Sequence, residues 1–517
     1  MPLAKRAAAL ALAACLFLTG CGAKPQDDSS PAPSSSPTPA AAAAADRLVL
    51  GYTPGDGLNP FLTGSTLVRQ NAGLLYEKLV EIGPDMSIVY RLASSIDVLD
   101  LQAVIHIRGG ATFADGTPVT AEDAAASLEA ARTSPLYSGQ LTNVTKVEVR
   151  DGAVVVTLAA PDSLFSYLCD IPVLKASETA SSSPTSSGRY VYSEGELVEN
   201  PRCLFAEGGQ PERIGLTEVS SYNEMVSGLT VGSLNLYQTS ELNDSPSGVA
   251  SELSYYRTNN LIFLGVNAAA AQSNAMLSPL LGTAAGRGLL SQTIDRRILA
   301  EKGYYSRAYP ATGAINSFYP CVLTQQVILP EAQLDEAGAR AALAALGYTE
   351  NTMDGFFYTS DGQKLTVRLL VYSGSTYKRY AASLLADQLE AVGIAVTLEQ
   401  TDDFEVFREK VLLGDFDLYI GEVKLYNNMD MSPFMEGGGA SAGIVQSEAL
   451  AAAYTAFRSN MSAAGAYEAA FAAEMPFVPL LWRNGTVVHT RSIEGLTSSI
   501  SNVFYSLGQL RFASADS

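Results

Sequence analysis

Residues 105–123, IHIRGGATFADGTPVTAED, constrain the fold more than any other part of this chain. The first half alternates as a strand does: Ile105 and Ile107 fall on one face, His106 and Arg108 on the other, and Gly109-Gly110 breaks the run. Phe113 leads into Asp115-Gly116-Thr117-Pro118, a turn in which Gly116 can take a positive φ and Pro118 fixes the next backbone angle. Thr120 follows as an N-cap, and Asp123 three residues on makes an aspartate version of the capping box. Together they open the Ala-rich helix EDAAASLEAAR. Strand, turn and capped helix in succession call for an α/β fold.

The beginning of the chain reads as a targeting segment. Lys5 and Arg6 precede an apolar run, residues 7–18, too short to span a bilayer comfortably. The run ends in Leu18-Thr19-Gly20-Cys21, which resembles the bacterial lipobox, so residues 1–20 are expected to be a lipoprotein signal peptide and Cys21 the lipidated residue. The plainer alternative is an ordinary cleaved signal with an incidental cysteine. Residues 21–45, rich in Ala, Pro and Ser, have too few large apolar side chains to form a core and read as a disordered tether. As a flexible coil they would reach roughly 25–30 Å from a membrane.

What remains, residues 46–517, exceeds one ordinary core and should divide into two or three lobes. Loss of Lys5 and Arg6 with the signal takes the net charge from −20 to −22, which argues against a nucleic-acid partner. Of five cysteines, Cys169, Cys203 and Cys321 lie in the body. A Cys169–Cys203 bridge is one option; three buried free thiols are expected, and no C-x-x-C spacing suggests a metal.

Along the body, residues 48–52 read as a first strand, 66–79 as a helix, and 144–150 with 153–158 as a hairpin around Asp151-Gly152. GLLSQTIDRRILAEKGY carries a helix stopped by Gly303, and residues 335–346 carry another ended by Gly347. Residues 365–372, 377–392 and 394–399 form a strand–helix–strand unit that favours a parallel pair. Late strands are expected at 415–421, 475–482 and 486–490.

Several of these segments resemble the solute-binding protein family 5, the extracellular receptors of oligopeptide, dipeptide and nickel ABC importers. Residues 105–123 are similar to the family block "F-x-L-R-x-G-v-x-F-s-D-G-t-p-v-T-A-e-D-v". Leu75-Tyr76-Glu77-Lys78-Leu79-Val80, Ser187-Gly188-Arg189-Tyr190, Ile294-Asp295-Arg296 and residues 475–482 resemble further family blocks. The resemblance implies a two-lobed periplasmic-binding-protein type 2 fold with an extra subdomain. Lobe I would comprise 46–75, 190–262 and 485–517, the extra subdomain 76–189, and lobe II 263–484. It implies a receptor for peptides or another small solute, an ABC permease as partner, no cofactor, a monomer, and a place on the outer face of the cytoplasmic membrane held by the lipid on Cys21.

An enzyme is the rival class. Ser375-Thr-Tyr-Lys378 has the S-x-x-K spacing of serine acyl-enzymes, but the K-T-G strand is missing, and Ser375 or Thr376 suits a helix N-cap equally well. His106 and His489 are the only histidines, and neither has a second ligand at metal-binding spacing. A binding cleft between lobes is the remaining reading. The family resemblance places Gly55, Asp56, Tyr137, Gln238, Thr239, Trp482 and Arg483 there, together with Glu422, Val423, Lys424, Tyr426 and Asn427.

In peptide receptors of the family the last segment reads like "G-W-x-A-D-Y-x-D-P", with its aspartate on the peptide's α-ammonium. Here the tryptophan position is Glu422 and the aspartate position aligns with Leu425, which cannot hold an ammonium. Either Glu422 or Asp430 takes over, or the ligand has no free α-amine and is a non-peptide solute such as a sugar or metal chelate. Lys424 adds a cation able to face a carboxylate or phosphate.

Overall fold

The structure, a computed structural model, describes residues 47–239, 251–323 and 333–513. Cys21 and the expected signal and tether lie outside the described residues.

Two long strands organise the chain. Ser251–Val266 and Val478–Thr490 run antiparallel to each other through the middle of one large sheet. At one end they are flanked by Leu418–Lys424, Thr366–Tyr372 and Ala395–Thr401, and at the other by Leu236–Thr239, Val49–Tyr52, Arg213–Glu218 and a hairpin of Glu196–Glu199 with Tyr190–Ser193. The outer strands pair in parallel, 366–372 with both 395–401 and 418–424, and 49–52 with 213–218. Each long strand is buried in two different cores. Leu261 to Leu264 and Val478 to Trp482 belong to one apolar cluster. Tyr256 and Val487 belong to the other. Between the two, the pairing register slips from Arg257 to Asn260, where Thr258 turns its hydroxyl onto the Arg483 carbonyl.

The strand–helix–strand unit forms as expected. Ser375 caps Thr376–Ala391, and the strands on either side pair in parallel in register from Thr366↔Ala395 to Tyr372↔Thr401. The hairpin at 151–152 also forms, with Asp151 and Gly152 both at positive φ, the conformation a type I′ turn needs. It joins a four-stranded antiparallel sheet with Ala93–Leu99 and Gln102–Ile107.

Residues 105–123 supply the end of one strand of that sheet and the start of the helix Ala121–Ala131 that packs on it. Gly116 sits at φ 89°, Asp115 Oδ1 accepts from the Thr117 amide at 3.1 Å, and Thr120 and Asp123 cap each other reciprocally. Asp123 Oδ1 also accepts from the Ala176 amide at 2.8 Å, so the box ties the helix to a neighbouring loop.

Three segments depart from expectation. The helix expected across residues 288–303 is broken: Ala284–Gln292 ends, and Asp295 caps a new start at Arg296. The helix expected to reach 79 ends at Leu75, because Val80–Ile82 is taken into a strand. The strands expected at 475–482 and 486–490 are one continuous strand. Cys169, Cys203 and Cys321 are buried and free, as expected.

The four-stranded sheet's C-terminal loop is anchored to the far half of the molecule. Asp162, whose side chain is fully buried, pairs with Arg458 at 2.9 Å and accepts from Asn428 Nδ2 at 2.6 Å. Ser163 Oγ donates to the Phe457 carbonyl, and Arg458 Nη1 to the Asn428 carbonyl at 2.8 Å. Arg458→Met leaves the buried carboxylate without its cation, and a fold loss of about 3–5 kcal/mol is expected in urea unfolding. An unchanged midpoint would show that the pair carries no such load.

Candidate functional site

The register slip brings charged side chains to one face of the sheet. Asn260 lies opposite Lys424 on one neighbour and Arg483 on the other, so these three side chains share a face, and Glu422, two residues before Lys424, shares it too. The strand Leu418–Lys424 has a buried first part, from which Glu422 and Lys424 emerge at the rim.

Glu422 is held on two sides. Lys378 Nζ stands 3.0 Å from one carboxylate oxygen and Arg483 Nε 3.0 Å from the other, with Asn260 Nδ2 at 3.5 Å. Burial alone would push this carboxyl up; Lys378 and then Arg483 overcome it and hold it down at about 2. Lys378 reaches the site from the first turn of the Thr376–Ala391 helix. The Ser375-x-x-Lys378 spacing therefore serves a helix cap and an ion pair.

Lys424 differs. Its side chain is water-accessible, yet protein crowds it: burial first, then the positive charges of Arg69 and Arg483, lower its ammonium to about 8. An open mouth with close walls reconciles accessibility with that desolvation.

Arg69 comes from the opposite half, on the helix Thr66–Leu75. Its guanidinium makes no hydrogen bond or ion pair with another described residue. Beside it, Gln70 is 5% exposed; its Oε1 accepts from the Gln238 amide at 3.0 Å, and its Nε2 has no partner among the described residues. Gln238 spends its own amide on the Tyr256 hydroxyl. Arg69, Gln70, Gln238 and residues 500–503 line a small recess of about 20 Å³.

The other expected residues are dispersed around this wall. Thr239, the last residue of its strand, pairs with Thr486. Val423 and Trp482, both opposite Leu261, share the face away from Lys424. Trp482 is fully buried, and its indole N–H has no partner among the described residues. Tyr426 is exposed, with its hydroxyl packed where a side chain on Gly139 would stand. Asn427 accepts from Asn259 Nδ2 at 3.1 Å and, through its carbonyl, from the Tyr319 hydroxyl at 2.7 Å.

Tyr137 is buried edge-to-face on Phe61, ring centroids 5.7 Å apart. Asp56 lines a separate depression of about 360 Å³ with Thr53, Ser65, Thr66, Ser221 and Tyr222, beside Gly55, around which space is open. Leu425, at the aspartate position of the family pattern, is buried, and Asp430 is engaged by the Tyr454 hydroxyl at 2.9 Å and by Ser432.

Sequence reasoning did not find Arg69, Asn260 or the role of Lys378. A signal existed for the first: Arg69-Gln70-Asn71 are three polar residues in an apolar helix, and two of them are buried. His106 is exposed 3.8 Å from Asp97, and His489 is bonded to the Ser254 hydroxyl at 2.8 Å. Among the described residues no group of three His, Cys, Asp or Glu side chains is placed to hold a metal.

The sequence profile of the bacterial extracellular solute-binding proteins, family 5 middle region, matches residues 87–444. No curated protein matches the chain. Among solved structures the chain is similar to the periplasmic murein tripeptide binding protein MppA in its unliganded open form. That likeness has 18% identity over 91% of this chain and 98% of that one, with a TM-score of 0.71. It is similar to a nickel ABC transporter protein from Bacillus halodurans, at 14% identity over 90% of this chain and 100% of that one, TM-score 0.70. The oligopeptide-binding protein AppA from Bacillus subtilis, in complex with a nonapeptide, shares 18% identity over 90% of this chain and 99% of its own, TM-score 0.52. At these identities the likeness speaks for the fold.

Because the folded Glu422 carboxyl sits at about 2, below its ordinary 4.5, its stabilising contribution is complete above about pH 4.5 and disappears as pH falls toward 2. The stability gap between wild type and Glu422→Gln in urea unfolding should accordingly be widest near neutral pH and close on acidification. A gap that stays constant down to the acid limit would contradict the ion-paired state.

Proposed function

The chain belongs to the bacterial extracellular solute-binding proteins of family 5, and from that premise we propose that it captures a small solute between its two halves and delivers it to an ABC permease. The observation that carries this reading is the pair of crossing strands. Each is buried at its ends in a separate core, and their register breaks between the cores, so the two halves have a pliable joint with a charged wall beside it. Solute bridging both halves would stabilise the closed arrangement by the contacts it makes only there.

Peptides are the leading solute class, and a similar structure holds a nonapeptide while another is named for a murein tripeptide. A non-peptide solute such as a metal chelate is the second reading, favoured by the buried Leu425 and by the two cations that already occupy Glu422. The ligand-contacting set is drawn from Gln238, Lys424, Tyr426 and Arg483 with Arg69 added. Lobe I, the extra subdomain and lobe II are taken at the boundaries given above. A serine acyl-enzyme finds little support: Ser375 Oγ accepts from the Lys378 amide as a helix cap, and the Lys378 ammonium is committed to Glu422. A diacylglycerol on Cys21 would hold the receptor on the outer face of the cytoplasmic membrane.

Mass spectrometry tests both parts on the full chain expressed in a bacterial host. Under native conditions the protein should carry a small molecule that leaves on denaturation, and the denatured chain should begin at Cys21 with the added mass of a lipid. Acylation of Ser375 by a β-lactam would contradict the receptor reading, and an unmodified Cys21 would contradict the anchor.

A further inference from the structure

The crossing strands are not the sole link between the halves. The region of the four-stranded sheet belongs with the half that carries Val49–Tyr52. The chain enters it from Thr66–Leu75 and leaves it into Tyr190–Ser193, and Leu75, Phe165, Leu168 and Tyr190 share an apolar cluster with Leu50. Buried polar contacts fasten it on the same side: Lys78 pairs with Asp170 at 2.6 Å, and Asn502 Nδ2 donates to Glu81 at 2.8 Å.

One segment of this region also faces the far half. Phe165 and Leu168 sit in the first core, whereas Leu164 and Tyr167 are buried in the cluster of Leu418 and Trp482, together with Ile82 and Met86. The Tyr167 ring centroid lies 4.8 Å from that of Tyr319. Polar contacts surround this apolar seat. Asp162 takes its cation, Arg458, and its amide donor, Asn428, from the far half. The Ser163 amide and hydroxyl donate to the Arg458 and Phe457 carbonyls, each at 2.7 Å. All of these contacts are noncovalent, and on separation water would replace the partners of both charges.

The seat adjoins the joint. Asn428, which reaches Asp162, follows Asn427, which accepts from Asn259 Nδ2 at 3.1 Å; the Leu425 amide donates to the Asn259 carbonyl at 2.9 Å. Segment 425–428 is therefore held at one end by the slipped register of the crossing strand and at the other by the opposite half. A rotation at the slip that parts the halves pulls this segment away from Asp162, and exposes Leu164 and Tyr167 as it does so.

Resting on the receptor reading, we propose that Asp162, Ser163, Leu164 and Tyr167 form a latch on Asn428, Phe457 and Arg458. It engages when the halves close and lets go when they open. Asp162 is then a positioning residue for the closed state: it slows the release of solute by holding the halves together.

The test starts from wild-type protein purified with its solute, compared with the same protein unfolded in guanidinium and refolded without it. Amide hydrogen exchange is followed at 163–168, where the Ser163 amide reports the latch directly, with strand Thr366–Tyr372 as the internal reference. Exchange at 163–168 should be about tenfold or more faster in the stripped protein, with the reference strand unchanged. Native mass spectrometry after dilution then reads solute release from wild type, Asp162→Asn and the milder Ser163→Ala. Loss should be about fivefold or more faster from Asp162→Asn, and faster in the same direction from Ser163→Ala.

Equal protection of 163–168 with and without solute would mean a permanent weld. That result, or release from both variants at the wild-type rate, would overturn the latch and leave the receptor reading standing. The exchange comparison uses wild type alone, so it decides the matter even where a variant fails to fold. Wild-type protein that carries no solute and exchanges alike before and after refolding would overturn both.

Discussion

The structure depends on two strands that belong to two cores at once. Ser251–Val266 and Val478–Thr490 are anchored by Leu261–Leu264 and Val478–Trp482 at one end and by Tyr256 and Val487 at the other. Apolar burial fixes each end, and a register slip between Arg257 and Asn260 is what the chain does in between. The slip frees Asn259 to bond the Tyr319 hydroxyl and Asn427, and frees Asn260 to reach Glu422. Polar side chains thereby replace regular ladder packing at the joint.

Charge at the joint follows from this geometry. Strand alternation puts Glu422, Lys424, Asn260 and Arg483 on a common face, and the capped helix that follows Thr366–Tyr372 delivers Lys378 to the same place. A half-buried carboxylate with two cations is stable there. Both of its oxygens are already engaged by protein cations. The 105–123 block contributes none of these groups; it ends one strand of the four-stranded sheet and caps the helix packed on it, and the loop after that sheet reaches the other half through Asp162 and Arg458.

What was legible in the sequence was local or repetitive. The Asp151-Gly152 turn, the Thr120–Asp123 box and the 366–401 strand–helix–strand unit each carry their cause within a few residues. The family resemblance extended those pieces to the whole fold. Long-range competition was not legible. Nothing near Gly485 says that the strand continues through it against Tyr256, and nothing near Ile294 says that Asp295 will restart a helix.

At the wall, Glu422, Lys424 and Arg483 sit in segments the family pattern marks, whereas Lys378 is 44 residues from Glu422 in sequence and Arg69 lies in another half. Their meeting is a property of packing. Trp482, the chain's one tryptophan, is fully buried on the face of its strand away from Lys424.

The most direct measurement of the central claim is a crystal structure of the protein purified with its solute still bound. The account predicts density between the two halves, in contact with side chains of both, and with Glu422 still paired to Lys378 and Arg483. A solute ammonium seated on Glu422, or a solute lodged instead in the depression beside Asp56 and Tyr222, would contradict it.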